Sequence, residues 1–176
     1  MRIFINPGHC PGLDSGAVNR TYGTQECDIA LQIGNQLASN LEAIGIESIV
    51  VQDDSLGKVC RAANANEADY FISIHCNAFN EIARGTETYC AYLGGEGEML
   101  ATAIQNSIVN KLNTTDRGVK TANYYVLQHT EMPAVLVECE FIDNNRACEL
   151  LMDNTDLFAD AITDGVVNFL MEVSNG

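Results

Sequence analysis

Apolar positions recur along this chain in two rhythms. Short, dense apolar runs bounded by Gly, Pro, Asn or charged residues predict strands at 2–6 (RIFIN), 47–52 (ESIVVQ), 70–75 (YFISIH), 86–92 (TETYCAY), 124–127 (YYVL) and 134–139 (AVLVEC). Between most of them the apolar spacing widens to three and four, the period of a helix face. Residues 25–44 carry Ile29, Ile33, Leu37, Leu41 and Ile44 in such a stripe, with Thr24 as the expected N-cap and Gly45 as the expected stop. Residues 96–112 carry Met99, Leu100, Ala103, Ile104, Ser107, Ile108 and Leu112. Further helices are predicted at 57–67, 144–152 and 155–173.

Strand alternating with helix predicts an α/β fold, in which a mostly parallel sheet is covered by helices on both faces. The segment TETYCAY breaks the alternation, because its link from 70–75 is too short for a crossover helix. The expected architecture is therefore a single domain over 1–176 with a mixed, mostly parallel, six-stranded twisted sheet. A chain of 176 residues is long enough to bury a sizeable core.

Two of the three histidines fall just past strand ends, His9 in INPGHC and His75 in FISIHCN. Glu138 ends the last strand, in AVLVECEF, and Glu26 opens the first long helix. If the centre of the sheet is parallel, these strand ends share one edge, the place where α/β folds build sites. Two imidazoles and one carboxylate with a position left for water make a catalytic zinc set. A further carboxylate outside that set can move a proton. A plainer reading stands beside this one: a histidine at a strand end can be a satisfied polar residue, and Glu26 can complement the helix dipole. Glu138 is harder to account for that way, because burying a carboxylate without a partner is costly.

Composition narrows the partners. Apolar residues make up 47% and charged residues 19%, as in globular domains, and no apolar run reaches the length of a membrane span. A net charge of −15 argues against nucleic acid and anionic lipid as partners. Seven cysteines, an odd number with no C-x-x-C pair, argue against a disulfide framework and a zinc knuckle, and suggest synthesis in a reducing setting. Cys10, Cys27, Cys76 and Cys139 each follow one of the four candidate residues. Thiolate ligation is one reading of them. Packing behind the site is the expected one, since strand neighbours point to opposite faces. Met1 and Arg2 lead straight into a strand, without the pattern of a signal peptide.

The chain resembles the zinc-dependent N-acetylmuramoyl-L-alanine amidases of the amidase-3 family, found in bacterial cell-wall hydrolases and phage endolysins. The resemblance rests on INPGH at 5–9, Glu26, SIHCNA at 73–78, GTETY at 85–89, RGVK at 117–120, YVL at 125–127 and PAVLVE at 133–138, with Phe141 and Asn144, in that order. It implies one Zn2+ held by His9, Glu26 and His75, with Glu138 as the catalytic carboxylate. It implies peptidoglycan as substrate, and the amide between N-acetylmuramic acid and L-alanine as the bond cut. Action at the cell wall follows, by holin-type release or from a trimmed precursor, as an autolysin or endolysin, with a wall-binding domain separate or removed. The alternatives are a zinc peptidase cutting within the stem peptide and a non-catalytic wall-binding module. Asn77, Arg117 and His129 are the candidate substrate contacts, with Lys120 beside Arg117. Their basic loop suits the stem peptide's carboxylates, and a solvated turn at Asp116-Arg117-Gly118 is the plainer reading. Glu140 stands where the family commonly has a small residue: if the strand continues, Glu138 and Glu140 share a face and each raises the other's pKa, and the expected reading is that Glu140 turns out to solvent as the strand frays.

Overall fold

In the computed structural model, which describes residues 1–175, six strands form one sheet. In chain order they are β1 (Arg2–Pro7), β2 (Glu47–Val50), β3 (Tyr70–Asn77), β4 (Thr86–Cys90), β5 (Asp116–Thr121) and β6 (Ala134–Phe141). Their order across the sheet is β2-β1-β3-β6-β4-β5. The first four in that order are mutually parallel. β4 runs antiparallel to β6 and parallel to β5, so the sheet is mixed where TETYCAY predicted it.

Among the described residues there are six helices: α1 (Glu26–Ala43), α2 (Leu56–Ala65), α3 (Glu96–Leu112), α4 (Tyr125–His129), α5 (Asn145–Asp153) and α6 (Thr155–Asn175). Among the described residues no helix is long and apolar enough to cross a membrane. Strand alternation sorts the core into two unequal layers. Ile3, Ile5, Ile72, Ile74, Val135 and Val137 face the large layer, which holds the apolar stripes of α1, α3 and α6. Phe4, Phe71, Ala134 and Leu136 face a smaller layer made with Val59, Cys60 and Ala63 of α2 and with Val126 and Leu127 of α4.

The secondary structure differs from the sequence expectation at 124–127, at 116–121 and at the start of α1. YYVL at 124–127 is not a strand: α4 begins at Tyr125, and the Tyr124 carbonyl accepts from the amides of Leu127 and Gln128. One helical turn suffices to bury Val126 and Leu127 under α2, so an apolar pair that reads as strand is used as a plug. The sixth strand is β5 instead, over the residues that read as a turn. Its only large apolar residue is Val119, and it is specified by pairing with β4, with Gly118 at φ +80° taking up the irregularity in that ladder. Finally, the N-cap of α1 is Gln25 rather than Thr24, with no side-chain hydrogen bond. Gly45, at φ +81°, does stop the helix, donating its amide to the Glu42 carbonyl.

Gly165 sets how closely α6 approaches α3. A Cβ there would stand 2.6 Å from Ile104 Cα and 2.9 Å from its amide nitrogen, both backbone atoms. Gly165→Ala is expected to cost about 1–3 kcal/mol through overpacking, although alanine is the better helix former. A denaturant titration should show a lower midpoint with unchanged slope.

Candidate active site

The parallel strands β1, β3 and β6 end at one edge, and the candidate residues gather there. His9 follows β1 by two residues and sits at φ 61°, a left-handed conformation unusual for a side-chain-bearing residue. His75 lies near the end of β3, in register with Glu138 of β6. Glu26 is the first residue of α1 and turns inward. Its Oε2 lies 3.2 Å from His9 Nε2, and its Oε1 lies 2.9 Å from His75 Nδ1. One donor atom from each of the three residues falls within 4.8 Å of the others, a group that can hold a metal ion.

The surroundings hold this trio in place. The amides of Ala17 and Cys76 donate to the two oxygens of Glu26, at 2.8 and 3.0 Å. Asp14 Oδ2 lies 2.7 Å from His9 Nδ1, which leaves His9 Nε2 facing Glu26. Two glycines leave room for the rings. A Cβ on Gly8 would stand 2.3 Å from His75 Cε1, and one on Gly16 would stand 2.5 Å from both Glu26 Oε2 and His9 Cδ2. Burial pushes the Glu26 carboxyl up, but the hydrogen bonds with His75 and His9 outweigh it and hold the group well below the carboxylate range. His9 is raised to about 9, first by Glu26 and, against burial, also by Asp14. A metal on these residues must displace that proton.

Glu138 stands in the middle of a row across three strands, between His75 of β3 and Glu87 of β4. Burial raises its carboxyl to about 7, and its Oε2 is enclosed without a hydrogen-bond partner. Cys76 and Cys139, the strand neighbours of His75 and Glu138, point the other way into the large core layer at 2% and 0% exposure. They pack behind the site, as strand alternation predicts.

Glu140 does not turn to solvent: it is 0% exposed. From Glu138 to Phe141, β6 advances three residues while β3 advances two, from His75 to Asn77. This bulge breaks the alternation that would put Glu138 and Glu140 side by side. The Glu140 carboxylate instead accepts from the amides of Gly85 and Phe141, at 2.6 and 2.9 Å, and so ties β6 to the start of β4.

Of the candidate substrate contacts, Asn77 and Arg117 are brought beside Glu138. Both bind Glu87. His129 is not there. It closes α4, its carbonyl accepts from Asn64 at the far end of α2, and its ring stacks on Tyr125. The chain then passes to Pro133, whose carbonyl meets the amide of Phe71 near the start of β3. His129 therefore lies toward the opposite end of β3 and β6 from His75 and Glu138. The expected substrate contact at His129 is not placed beside Glu138, because YVLQH is a helical turn rather than a strand ending at the site.

The family described as N-acetylmuramoyl-L-alanine amidase matches residues 3–168. This chain belongs to that family. N-acetylmuramoyl-L-alanine amidase LytC of Bacillus subtilis is 37% identical over 95% of the chain, which spans only 35% of LytC. N-acetylmuramoyl-L-alanine amidase CwlM of Bacillus licheniformis is 35% identical over 99% of the chain and 69% of that protein. The crystal structure of N-acetylmuramoyl-L-alanine amidase from Clostridium difficile 630 superposes with a TM-score of 0.90 at 34% identity, covering 96% of both chains. As an amidase-family chain it carries two site neighbours that sequence reasoning passed over, Asp14 and Glu87. Asp14 sits in a loop of turn formers, where an aspartate needs no special explanation. Glu87 did leave a signal: a charge between threonines in a strand with little else polar to cover it.

Proposed function

We propose that residues 1–176 are the catalytic domain of a zinc-dependent N-acetylmuramoyl-L-alanine amidase acting on peptidoglycan at the cell wall. The observation that supports it most is the meeting of His9, Glu26 and His75 in one cluster with Glu138 in register beside His75. Two imidazoles and a carboxylate fit Zn2+, with one coordination position left for the reaction. Held by His9, Glu26 and His75, zinc would supply Lewis-acid polarisation of the scissile carbonyl and of a water. The chain's own residues do the rest. Asp14 fixes the ring of His9, and the Ala17 and Cys76 amides fix both oxygens of Glu26. Glu138 takes the proton from the attacking water and delivers it to the departing nitrogen of L-alanine. Burial makes Glu138 a stronger base than an exposed carboxylate, which suits it to accept that proton. Cleavage gives a free lactyl carboxylate on the glycan and a free amine on the peptide.

A zinc peptidase cutting within the stem peptide would use the same groups, so the product decides. Purified peptidoglycan digested with the zinc-loaded protein and analysed by mass spectrometry should yield stem peptides beginning with L-alanine. Chelation should stop the release and added zinc restore it. Peptides cut internally would overturn the amidase assignment and leave the metal site standing.

A further inference from the structure

Beyond Glu138, the flank of the cleft is built around Glu87, a carboxylate only 3% exposed. Its Oε1 accepts from Asn77 Nδ2 and from the Tyr89 hydroxyl, each at 2.7 Å. Its Oε2 accepts from Arg117 Nε at 2.8 Å and from Lys120 Nζ at 2.5 Å. Burial pushes Glu87 up, but Lys120, Arg117 and Tyr89 together hold it at about 2, so it is charged throughout the neutral range. Two cations on one carboxylate leave a positive charge in excess, on a chain whose net charge is −15.

Arg117 uses only Nε on Glu87. Its two Nη groups make no hydrogen bond among the described residues, and the side chain is 35% exposed. The guanidinium carbon lies 4.8 Å over the ring of Phe141, the residue in register with Asn77. The fork is thus held from behind by a charge and from below by an aromatic face, with its Nη edge open. A planar pair of N–H groups fixed this way matches a carboxylate bidentately. Neighbouring strands lie about 4.8 Å apart and an extended peptide advances about 3.3 Å per residue, so a carboxylate reaching this fork belongs to one of the first residues past the bond that Glu138 serves.

We propose that Arg117 is a specificity-determining residue that reads a free carboxylate near the start of the stem peptide, and that Glu87 is the positioning residue that holds it. This rests on the amidase reading above. Amidating that carboxylate replaces one acceptor oxygen by a donor and removes its charge, so the fork loses half its match and its Coulomb attraction.

The test uses two synthetic N-acetylmuramoyl peptides that differ only in whether the side-branch carboxylate of the second residue is free or amidated. The parent, zinc-loaded, is expected to favour the acid in kcat/KM. In Arg117→Ala that preference should fall at least about tenfold, chiefly through KM for the acid. Arg117→Lys should not restore it, because an ammonium cannot fork. Glu87→Gln should weaken the preference in the same direction. Calorimetric binding of the two released peptides to the metal-free protein gives a readout independent of turnover. An amidase with no preference for the acid, or an equal loss on both substrates in Arg117→Ala, would overturn the proposal. If the parent cleaves neither substrate, the amidase reading fails, and the calorimetric preference and its loss in Arg117→Ala decide the fork by themselves.

Discussion

Glu138→Gln is expected to lower turnover of peptidoglycan by about a hundredfold to ten-thousandfold, the usual range for losing a general acid–base, while zinc stays bound. The amide has nearly the shape of the carboxylate but cannot take a proton from water. Glu140→Gln is the control that matters. Glu140 is closer to the end of the same strand, but its carboxylate holds the Gly85 and Phe141 amides behind the bulge, and a glutamine oxygen can accept both bonds. Its turnover should stay within about tenfold of the parent, as for a group outside the proton relay. Loss confined to the Glu140 variant would reverse the assignment.

The same substitution should make the metal-free protein more stable. Glu138 titrates near 7 when folded, above the unfolded carboxyl value of 4.5. Between those values the folded state binds more protons than the unfolded one, so the group lowers stability as pH rises through that window. Removing its charge should raise the denaturation midpoint at neutral pH and leave it little changed at pH 4. A bound cation lowers the carboxyl again, so the acid limb of the loaded enzyme's rate profile should fall below pH 7. Opposite signs for activity and stability mark a group whose burial serves chemistry.

Glu26→Gln is expected to weaken zinc binding by more than about a hundredfold, beyond the 10–100-fold that outer hydrogen-bond partners of metal ligands are usually worth. Its oxygens are the meeting point of both histidines. A glutamine side-chain oxygen is a poorer metal ligand and brings no charge to offset the ion. The Ala17 or Cys76 amide still finds an acceptor on it, so the fold should persist. Chelator competition measures the affinity, and the upward shift of the melting temperature on adding zinc should shrink with it. Asp14→Asn should show the smaller, 10–100-fold effect, since it acts only through the ring of His9. Zinc affinity unchanged in Glu26→Gln would remove Glu26 from the ligand set.

The central strands were legible because β1, β3 and β6 are apolar on both faces, a pattern few other elements share. The strand-end residues His9, His75 and Glu138 were legible for the complementary reason: polarity placed where burial stops. β5 was not, because an edge strand with one large apolar residue is specified by its partner and not by its own sequence. Glu140 was misread because the strand was expected to fray before it, whereas β6 runs on to Phe141 through a bulge against β3 and buries it. Asp14 meets His9 five residues away, inside a loop whose turn formers mask it, and Glu87 depends on partners distant in sequence, which its lone charge between threonines marks without identifying. Glu87 takes donors from β3, β4 and β5 at once.

The inequality of the two core layers divides the molecule by evolutionary task. The layer of α1, α3 and α6 holds most of the buried apolar side chains and meets the site at the backs of its strands and at Glu26, the first residue of α1. The proposed recognition groups sit on β4, β5 and the end of β3, with the connection 78–85 between β3 and β4. Changes in that connection leave the large layer untouched, so a lineage facing altered stem peptides can rework what it reads while keeping the scaffold and the metal trio intact.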